Sequence, residues 1–339
     1  DGNGNILNLT RNGEAGNLNM DEFSYDYDYT YDATLLVDRL DNNKLNYVDD
    51  NVLFTGNHTE DIDDMDVGNF TYDAIGNLIS DKSERIDVIE WNVYGKIKSI
   101  TRETSGAIHQ KSDLEFEYDA AGNRTVKIEK VRDVSGNLLP QANWNYTYYV
   151  RDASGNIMAN YSALGDQVVW TTSDLYGSSR IGTLKADIEI LDVSGTPIGH
   201  IRPNEYEYER GNILYELSNQ LGNVLAVVSD IKIGNVSGGI GNWDYYEVSY
   251  SSFTDYYPFG MQMQNRTVTN ADKGYRFGFN GQELDDEVAG TGNSMTAEFW
   301  QYDSRLGRRW NLDPVKKLEN YLHSKPYFFH LGSLLKVHF

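Results

Sequence analysis

Tyr72-Asp73-Ala74-Ile75-Gly76-Asn77-Leu78 is the stretch that decides the fold. It returns as Tyr118-Asp119-Ala120-Ala121-Gly122-Asn123-Arg124. It returns again as Arg151-Asp152-Ala153-Ser154-Gly155-Asn156-Ile157, behind Tyr148-Tyr149. Looser copies are Asp133-Val134-Ser135-Gly136-Asn137-Leu138, Asp192-Val193-Ser194-Gly195, Asn219-Gln220-Leu221-Gly222-Asn223-Val224 and Asn92-Val93-Tyr94-Gly95-Lys96-Ile97. Each copy reads as a β-hairpin. An aromatic residue ends a strand, and Asp opens a type I turn because its carboxylate accepts a nearby backbone N–H. Gly takes the position that needs positive φ, and Asn is expected to tolerate the neighbouring left-handed region. An apolar residue restarts the returning strand. The turn residues on which this reading stands are Asp73, Gly76 and Asn77, Asp119, Gly122 and Asn123, and Asp152, Gly155 and Asn156.

The spacing of the turns is a second signal. Gly76 and Gly95 stand 19 residues apart, as do Gly136 and Gly155. A unit of about 20 residues marks a repeat architecture. One hairpin is marginal in water, so each unit must pair with its neighbours. The expected fold is all-β: a long, coiled antiparallel sheet of hairpins.

Composition narrows the function. The chain has 339 residues and a formal net charge of −22, with 25 Tyr, 6 Pro and no Cys. Tyr suits strands that are apolar on one side and wet on the other. The negative charge argues against nucleic acid, whose phosphates need clustered Lys and Arg, and against a polybasic membrane contact. It fits edge and loop acids that keep strands from self-association. Without Cys there are no disulfides and no thiolate metal sites. No apolar run reaches the length of a membrane span. The first residues, Asp1 to Ile6, read as a turn entered mid-repeat, as expected of a piece of a longer chain.

Other stretches carry less. Tyr25-Asp26-Tyr27-Asp28-Tyr29-Thr30-Tyr31-Asp32 alternates with period two and predicts a strand with a tyrosine face. Asp61-Ile62-Asp63-Asp64-Met65-Asp66 is dense in carboxylates but lacks the spacing of an EF-hand, and reads as a solvated loop. Gly238-Gly239-Ile240-Gly241-Asn242 reads as a flexible tip. The six His, at 58, 109, 200, 323, 330 and 338, form no paired zinc motif. No serine-nucleophile elbow or phosphate loop occurs, so no cofactor and no metal are expected. Arg305 to Arg309 is the one basic cluster, read as offsetting the acids of its own domain.

The Tyr-Asp-x-x-Gly-Asn units resemble the YD repeats of bacterial Rhs proteins. The tail resembles the Rhs repeat-associated core, through Tyr257-Pro258-Phe259-Gly260, Arg276 to Glu283, and Tyr302-Asp303-Ser304-Arg305-Leu306-Gly307-Arg308 followed by Asp313-Pro314. Leu175-Tyr176-Gly177-Ser178-Ser179-Arg180 and Leu221-Gly222-Asn223-Val224 also recur in such proteins. The resemblance implies a hollow β-shell closed at one end by the core domain. Such a shell holds a variable C-terminal polypeptide, often a toxin, in proteins that are secreted or displayed on the bacterial surface. On this reading residues 1–70 are degenerate repeats, 71–255 the repeat sheet, 256–315 the core and 316–339 a variable or disordered tail. The expected partner is the chain's own C-terminal cargo.

In several relatives the core cuts the chain after its Asp-Pro motif, using an arginine and two aspartates. Carried over by position, these are Arg276, Asp285 and Asp313. Paired carboxylates that share a proton suit that chemistry. Here Val315-Lys316-Lys317 follows Asp313-Pro314, whereas the cleaving relatives continue Asp-Pro-x-Gly, and Asp286 stands in tandem with Asp285. The alternative to cleavage is that Arg276 and the two aspartates are structural. A further alternative function is carbohydrate or cell-surface binding. A glycan platform needs several exposed, coplanar Tyr rings, whereas a shell wall needs most of them packed.

Overall fold

The computed structural model describes residues 1, 4–13, 19–52, 62–104, 111–198, 209–235, 244–269, 274–297 and 300–311. Asp313, Tyr206–Tyr208, the 238–242 glycine run and the tail beyond Asn311 lie outside the described residues. The fold is all-β and antiparallel. A long sheet of fourteen strands runs from Phe70–Tyr72 to Gln262–Thr269, with spatial order following chain order. Asn8–Asn12, Asn19–Asp32 and Val37–Asp50 form a three-stranded sheet, and four short strands between Glu283 and Arg309 form another. The chain divides into two compact units. One holds residues 1–103, 256–265 and the described residues from 283 onward. The other holds 104–255 and 266–282.

The repeated reversal has one construction. At Asp119–Asn123 the Gly122 N–H donates to the Asp119 carbonyl at 3.0 Å, and the Asp119 N–H donates to the Asn123 carbonyl at 2.9 Å. This is a type I turn closed by a left-handed residue, a hairpin with a glycine bulge. Gly122 has φ +84°. One carboxylate oxygen of Asp119 accepts the N–H groups of Ala121 (2.9 Å) and Asn123 (2.8 Å). The other accepts the Asn123 side-chain amide at 3.0 Å. Asp73, Asp133 and Asp152 repeat every one of these bonds. Asn92, Asp192 and Asn219 keep the two backbone-amide bonds. The asparagine is thus not a second left-handed residue, as expected from sequence: Asn77, Asn123 and Asn156 all have negative φ. They are chosen because an amide that donates to the aspartate clamps the loop.

Two further reversals, Tyr257–Met261 and Gly278–Gln282, make the same pair of backbone bonds without any carboxylate. There the left-handed backbone begins one residue earlier, at Phe259 (φ 74°) and Asn280 (φ 55°).

The tyrosine strand Asn19–Asp32 buries Phe23, Tyr25 and Tyr27 on one face, with Val48 opposite Tyr25 and Leu45 opposite Tyr27. Its distal part does not follow, and Tyr29 and Tyr31 are exposed. The acidic loop is more anchored than a solvated loop would be. Asp63, Asp64 and Asp66 are exposed, but Ile62 and Met65 are buried, and Asp64 accepts the Asp50 N–H at 2.8 Å.

The second unit builds a wide sheet face. Strands Asn145–Arg151, Ile157–Leu164, Gln167–Tyr176 and Arg180–Leu191 pair in succession. Their registers align Tyr148, Tyr161, Trp170 and Ile188 in one cross-strand row. Tyr146, Ala163, Val168 and Leu191 form the next row on the same face. Apart from buried Ala163, these side chains are half-buried or exposed. Tyr146 and Tyr148 stack with ring centroids 6.1 Å apart.

Gly122→Val forces a β-branched residue into the left-handed region, which costs about 1–3 kcal/mol. It is expected to lower the denaturation midpoint more than Asn123→Asp, which removes one exposed side-chain bond. Equal midpoints in urea titrations would refute this construction of the turn.

Candidate functional site

The segment with the strongest motif, Gln301 to Trp310, is the most deeply buried part of the first unit. Tyr302, Asp303, Ser304, Arg305, Leu306 and Arg308 are all buried. Its turn also opens on an aspartate that holds its own backbone, but the loop is one residue longer than in the repeats: Asp303 Oδ1 accepts the N–H groups of Arg305 (2.9 Å) and Leu306 (3.2 Å), and Asp303 pairs with Arg308. Gly307 closes it at φ +65°, and a Cβ there would meet the Phe259 ring at 3.0 Å. Glycine is required twice over, by conformation and by close approach.

The arginines of this segment point into the unit. Arg305 donates Nη1 to Glu84 Oε1 at 2.6 Å and Nη2 to Asp303 Oδ2 at 2.8 Å. Burial disfavours its charge, but Asp303 and Glu84 together outweigh that and push its pKa further up. Arg308 donates to the Tyr27 hydroxyl (2.6 Å) and the Asn43 carbonyl (3.0 Å). Arg11, paired with Asp21 at 2.6 Å, reaches the Arg305 carbonyl at 2.9 Å. The Tyr25 hydroxyl donates to the Leu306 carbonyl at 3.1 Å. Burial raises the pKa of Tyr25, which therefore stays a neutral donor. The basic cluster thus neutralises acids of its own unit and ties the C-terminal segment to strands almost 300 residues earlier.

A third buried carboxylate lies near Arg305. Asp81, 1% exposed, accepts bonds from Ser83 Oγ (2.8 Å), Asn69 Nδ2 (3.0 Å) and the Glu84 N–H (3.3 Å). Burial and the neighbouring Glu84 push its pKa up to about 6, against the pull of Ser83, Arg305 and Asn69. Arg102, 1% exposed, donates to the carbonyls of Glu84 (2.7 Å), Val288 (2.7 Å) and Glu287 (2.9 Å). The last two belong to the short helix Asp286–Ala289, whose final turn suits a guanidinium.

The second unit gathers other motif residues. Arg180 pairs with Glu216 at 2.7 Å, donates to the Gly281 carbonyl at 2.9 Å and lies 3.3 Å over the Phe277 ring. The Tyr275 hydroxyl shares Glu216 at 2.5 Å. Tyr275 packs on the small core of Leu214, Val224 and Val227. The Val224 N–H donates to the Gly278 carbonyl at 3.2 Å.

The residues carried over for self-cleavage stand as follows. Arg276, in the second unit, donates to the Tyr149 hydroxyl at 3.3 Å and lies 5.4 Å from its ring centroid. Asp285, in the first unit, is wholly buried and accepts from Thr296 Oγ1 and from Gln301 Nε2 (3.2 Å), whereas Asp286 is exposed. Of the tandem pair, Asp285 is therefore the enclosed carboxylate. Asp313 lies outside the described residues. Sequence reasoning missed Asp81, Glu84 and Arg102, which sit between repeats and acquire meaning only from partners in distant segments. Among the described residues, no group of three or more His, Cys, Asp or Glu is placed to hold a metal ion. No helix among them is long and apolar enough to cross a membrane.

No family model matches the chain, and no curated protein does. Among solved structures it is similar to TcdB2–TccC3 without its hypervariable C-terminal region. That match has 12% identity over 92% of this chain and 16% of the other, with a TM-score of 0.44. It is also similar to the Photorhabdus luminescens Tc holotoxin pore carrying a TccC3 mutation. There the identity is 13% over 91% of this chain and 12% of the other, with a TM-score of 0.47. The chain thus spans less than a fifth of the length of either match.

Arg305→Met leaves Glu84 and Asp303 buried without their cation. It is expected to cost about 3–5 kcal/mol of unfolding free energy. Lys98→Ala removes the exposed Lys98–Glu90 pair and should leave the midpoint unchanged. A similar response in both variants by denaturant titration would refute the anchoring role of Arg305.

Proposed function

We propose that this chain is a structural β-shell segment of an Rhs-type protein, secreted or surface-displayed, that encloses the polypeptide continuing beyond its core domain. One observation carries the reading: the second unit has an apolar, aromatic sheet face that its own residues cover only in part. In its two cross-strand rows spanning four strands, Tyr148 is exposed and Tyr146, Tyr161 and Trp170 are half-buried. Ordinary monomers keep contiguous apolar patches small, and a larger one marks a surface made to touch another chain. A polypeptide held without a fold of its own offers the matching surface, apolar side chains along extended backbone.

Two things support this reading. The YD-type turns supply a wall of any length, because each of these loops is closed by bonds within its own five residues. The Tyr302–Arg308 segment, buried against strands from the start of the chain, supplies the fixed end from which a following polypeptide leaves. Glycan binding is the rival for the same face. On that face the Tyr146 and Tyr148 rings lie 8° from parallel, so ring geometry is compatible with either ligand and the replacements below separate them.

Protease digestion of a chain that carries a polypeptide after the core tests the proposal. The segment following the core should resist digestion when attached and be cut rapidly when expressed free. Replacing Tyr148 and Tyr161 by Ser should increase its cleavage while the turns stay folded by circular dichroism. Equal digestion of attached and free segments would overturn the reading, and soluble glycan binding lost with the same Ser replacements would favour the rival. Intact mass of that chain tests self-cleavage separately. Two pieces, restored to one intact mass by Asp313→Asn, would assign the cut to Asp313, and a single mass in the wild type would rule cleavage out.

A further inference from the structure

We propose that one side of the second unit's sheet binds unfolded polypeptide supplied from outside the chain, without regard to its sequence. This is a holdase activity. It rests on the reading above in using the same sheet side, and adds a partner that the chain does not carry. The extent of that side is the reason. Beyond the rows through Tyr148 and Tyr146, two more apolar rows cross the strands Ile213–Ser218, Val224–Asn235 and Tyr245–Tyr256. One aligns Tyr215, Val228 and Tyr250, and the other Leu217, Ala226 and Phe253. Val228 and Ala226 are half-buried, and the other four are exposed. The Tyr250 and Phe253 rings meet with centroids 4.5 Å apart.

The registers put both sets of rows on one side. Tyr149, Asn160, Thr172 and Lys185 are successive cross-strand partners, of which Tyr149 and Asn160 are buried. Thr183, two residues from Lys185, pairs with Asp174 and Leu214, and all three are buried. Residues two apart on a strand share a side. The covered side therefore runs without a break into the core of Leu214, Val224 and Val227. Tyr148 is next to Tyr149, and Tyr215 is next to Leu214, so both point the other way. They share a single aromatic side across the seven strands from Asn145–Arg151 to Tyr245–Tyr256. With strands about 4.8 Å apart, that side is about 30 Å wide. No Asp, Glu, Lys or Arg stands in any of the four rows, in a chain of net charge −22.

These features select the partner. Charges at an interface fix register and turn away wrong partners. A side without them holds apolar side chains and leaves their order unspecified. A folded monomer seldom exposes an apolar patch of this width, so it has little to set against the rows. A second copy carries a matching side but brings −22 against −22. An unfolded polypeptide exposes its apolar side chains and follows the sheet without a preset shape. The tyrosine rings take the apolar contact while their hydroxyls hydrogen-bond its backbone.

Fluorescence anisotropy of a labelled, permanently unfolded protein, reduced and carboxymethylated α-lactalbumin, mixed with the intact 339-residue chain is the test. The anisotropy should rise saturably, and the native, disulfide-bonded form of the same probe should give no rise. Added salt should not weaken the binding, because no ion pair carries it. Replacing Tyr215 and Tyr250 by Ser should weaken it about tenfold. Val134→Ser, at a turn position 79% exposed and outside the rows, should not. No rise with the unfolded probe, an equal rise with the native form, loss of binding in salt, or full binding by the folded double variant would overturn the proposal. So would a chain that dimerises through the same tyrosines in sedimentation and ignores the probe. If the double variant does not fold, photo-crosslinks of the probe to the wild type decide. They should fall on peptides holding Tyr215 or Tyr250, and crosslinks elsewhere overturn it. Failure here is separable from failure of the enclosing role, since a side that takes only its attached segment still protects that segment from protease.

Discussion

The structure depends on a carboxylate that satisfies the backbone of its own turn. Asp119 takes two main-chain N–H groups and one side-chain amide within five residues. A reversal so closed needs nothing from the rest of the molecule. It can be repeated without a shared core, and a sheet can lengthen one hairpin at a time. This explains how fourteen strands follow chain order with no crossover. It also explains how so many acids are tolerated: several are bound to their own loops rather than left to repel one another.

A chain made this way has a problem at its end. Self-sufficient hairpins do not fix where a ribbon stops, and open strand edges invite association. In the first unit the C-terminal segment answers this with buried charge. Arg305, Arg308 and Arg11 each bond an acid, a hydroxyl or a carbonyl of a segment far away in sequence. Such contacts contribute little net stability compared with an apolar replacement, but breaking one is costly. They select one arrangement of segments more than they strengthen it.

The two populations of aspartate answer pH in opposite senses. Exposed turn aspartates such as Asp119 and Asp152 are held below the usual carboxylate range, first by the side-chain amide of the following Asn. Their contribution is present above that range and fades as pH falls through their lowered values. Asp81, buried beside Glu84, is raised and gains from acid. The exposed turns and this buried carboxylate therefore respond to different parts of the pH scale.

The sequence by itself determined the local structure. The Asp-x-x-Gly frame announces its turns because every bond that closes them lies within five residues. The tyrosine alternation in Asn19–Asp32 announces a strand for the same reason. It also singled out the Tyr302–Arg308 segment and the basic cluster. Even locally one reason was misassigned: Asn123 has ordinary backbone and acts through its amide. The partners of Arg305 and Arg308, the burial of Asp285 but not Asp286, and the rows that join Tyr148 to Trp170 were decided only by tertiary structure. They depend on register and on contacts between segments tens to hundreds of residues apart. A carboxylate such as Asp81 or Glu84 looks like any surface acid until its surroundings exclude water.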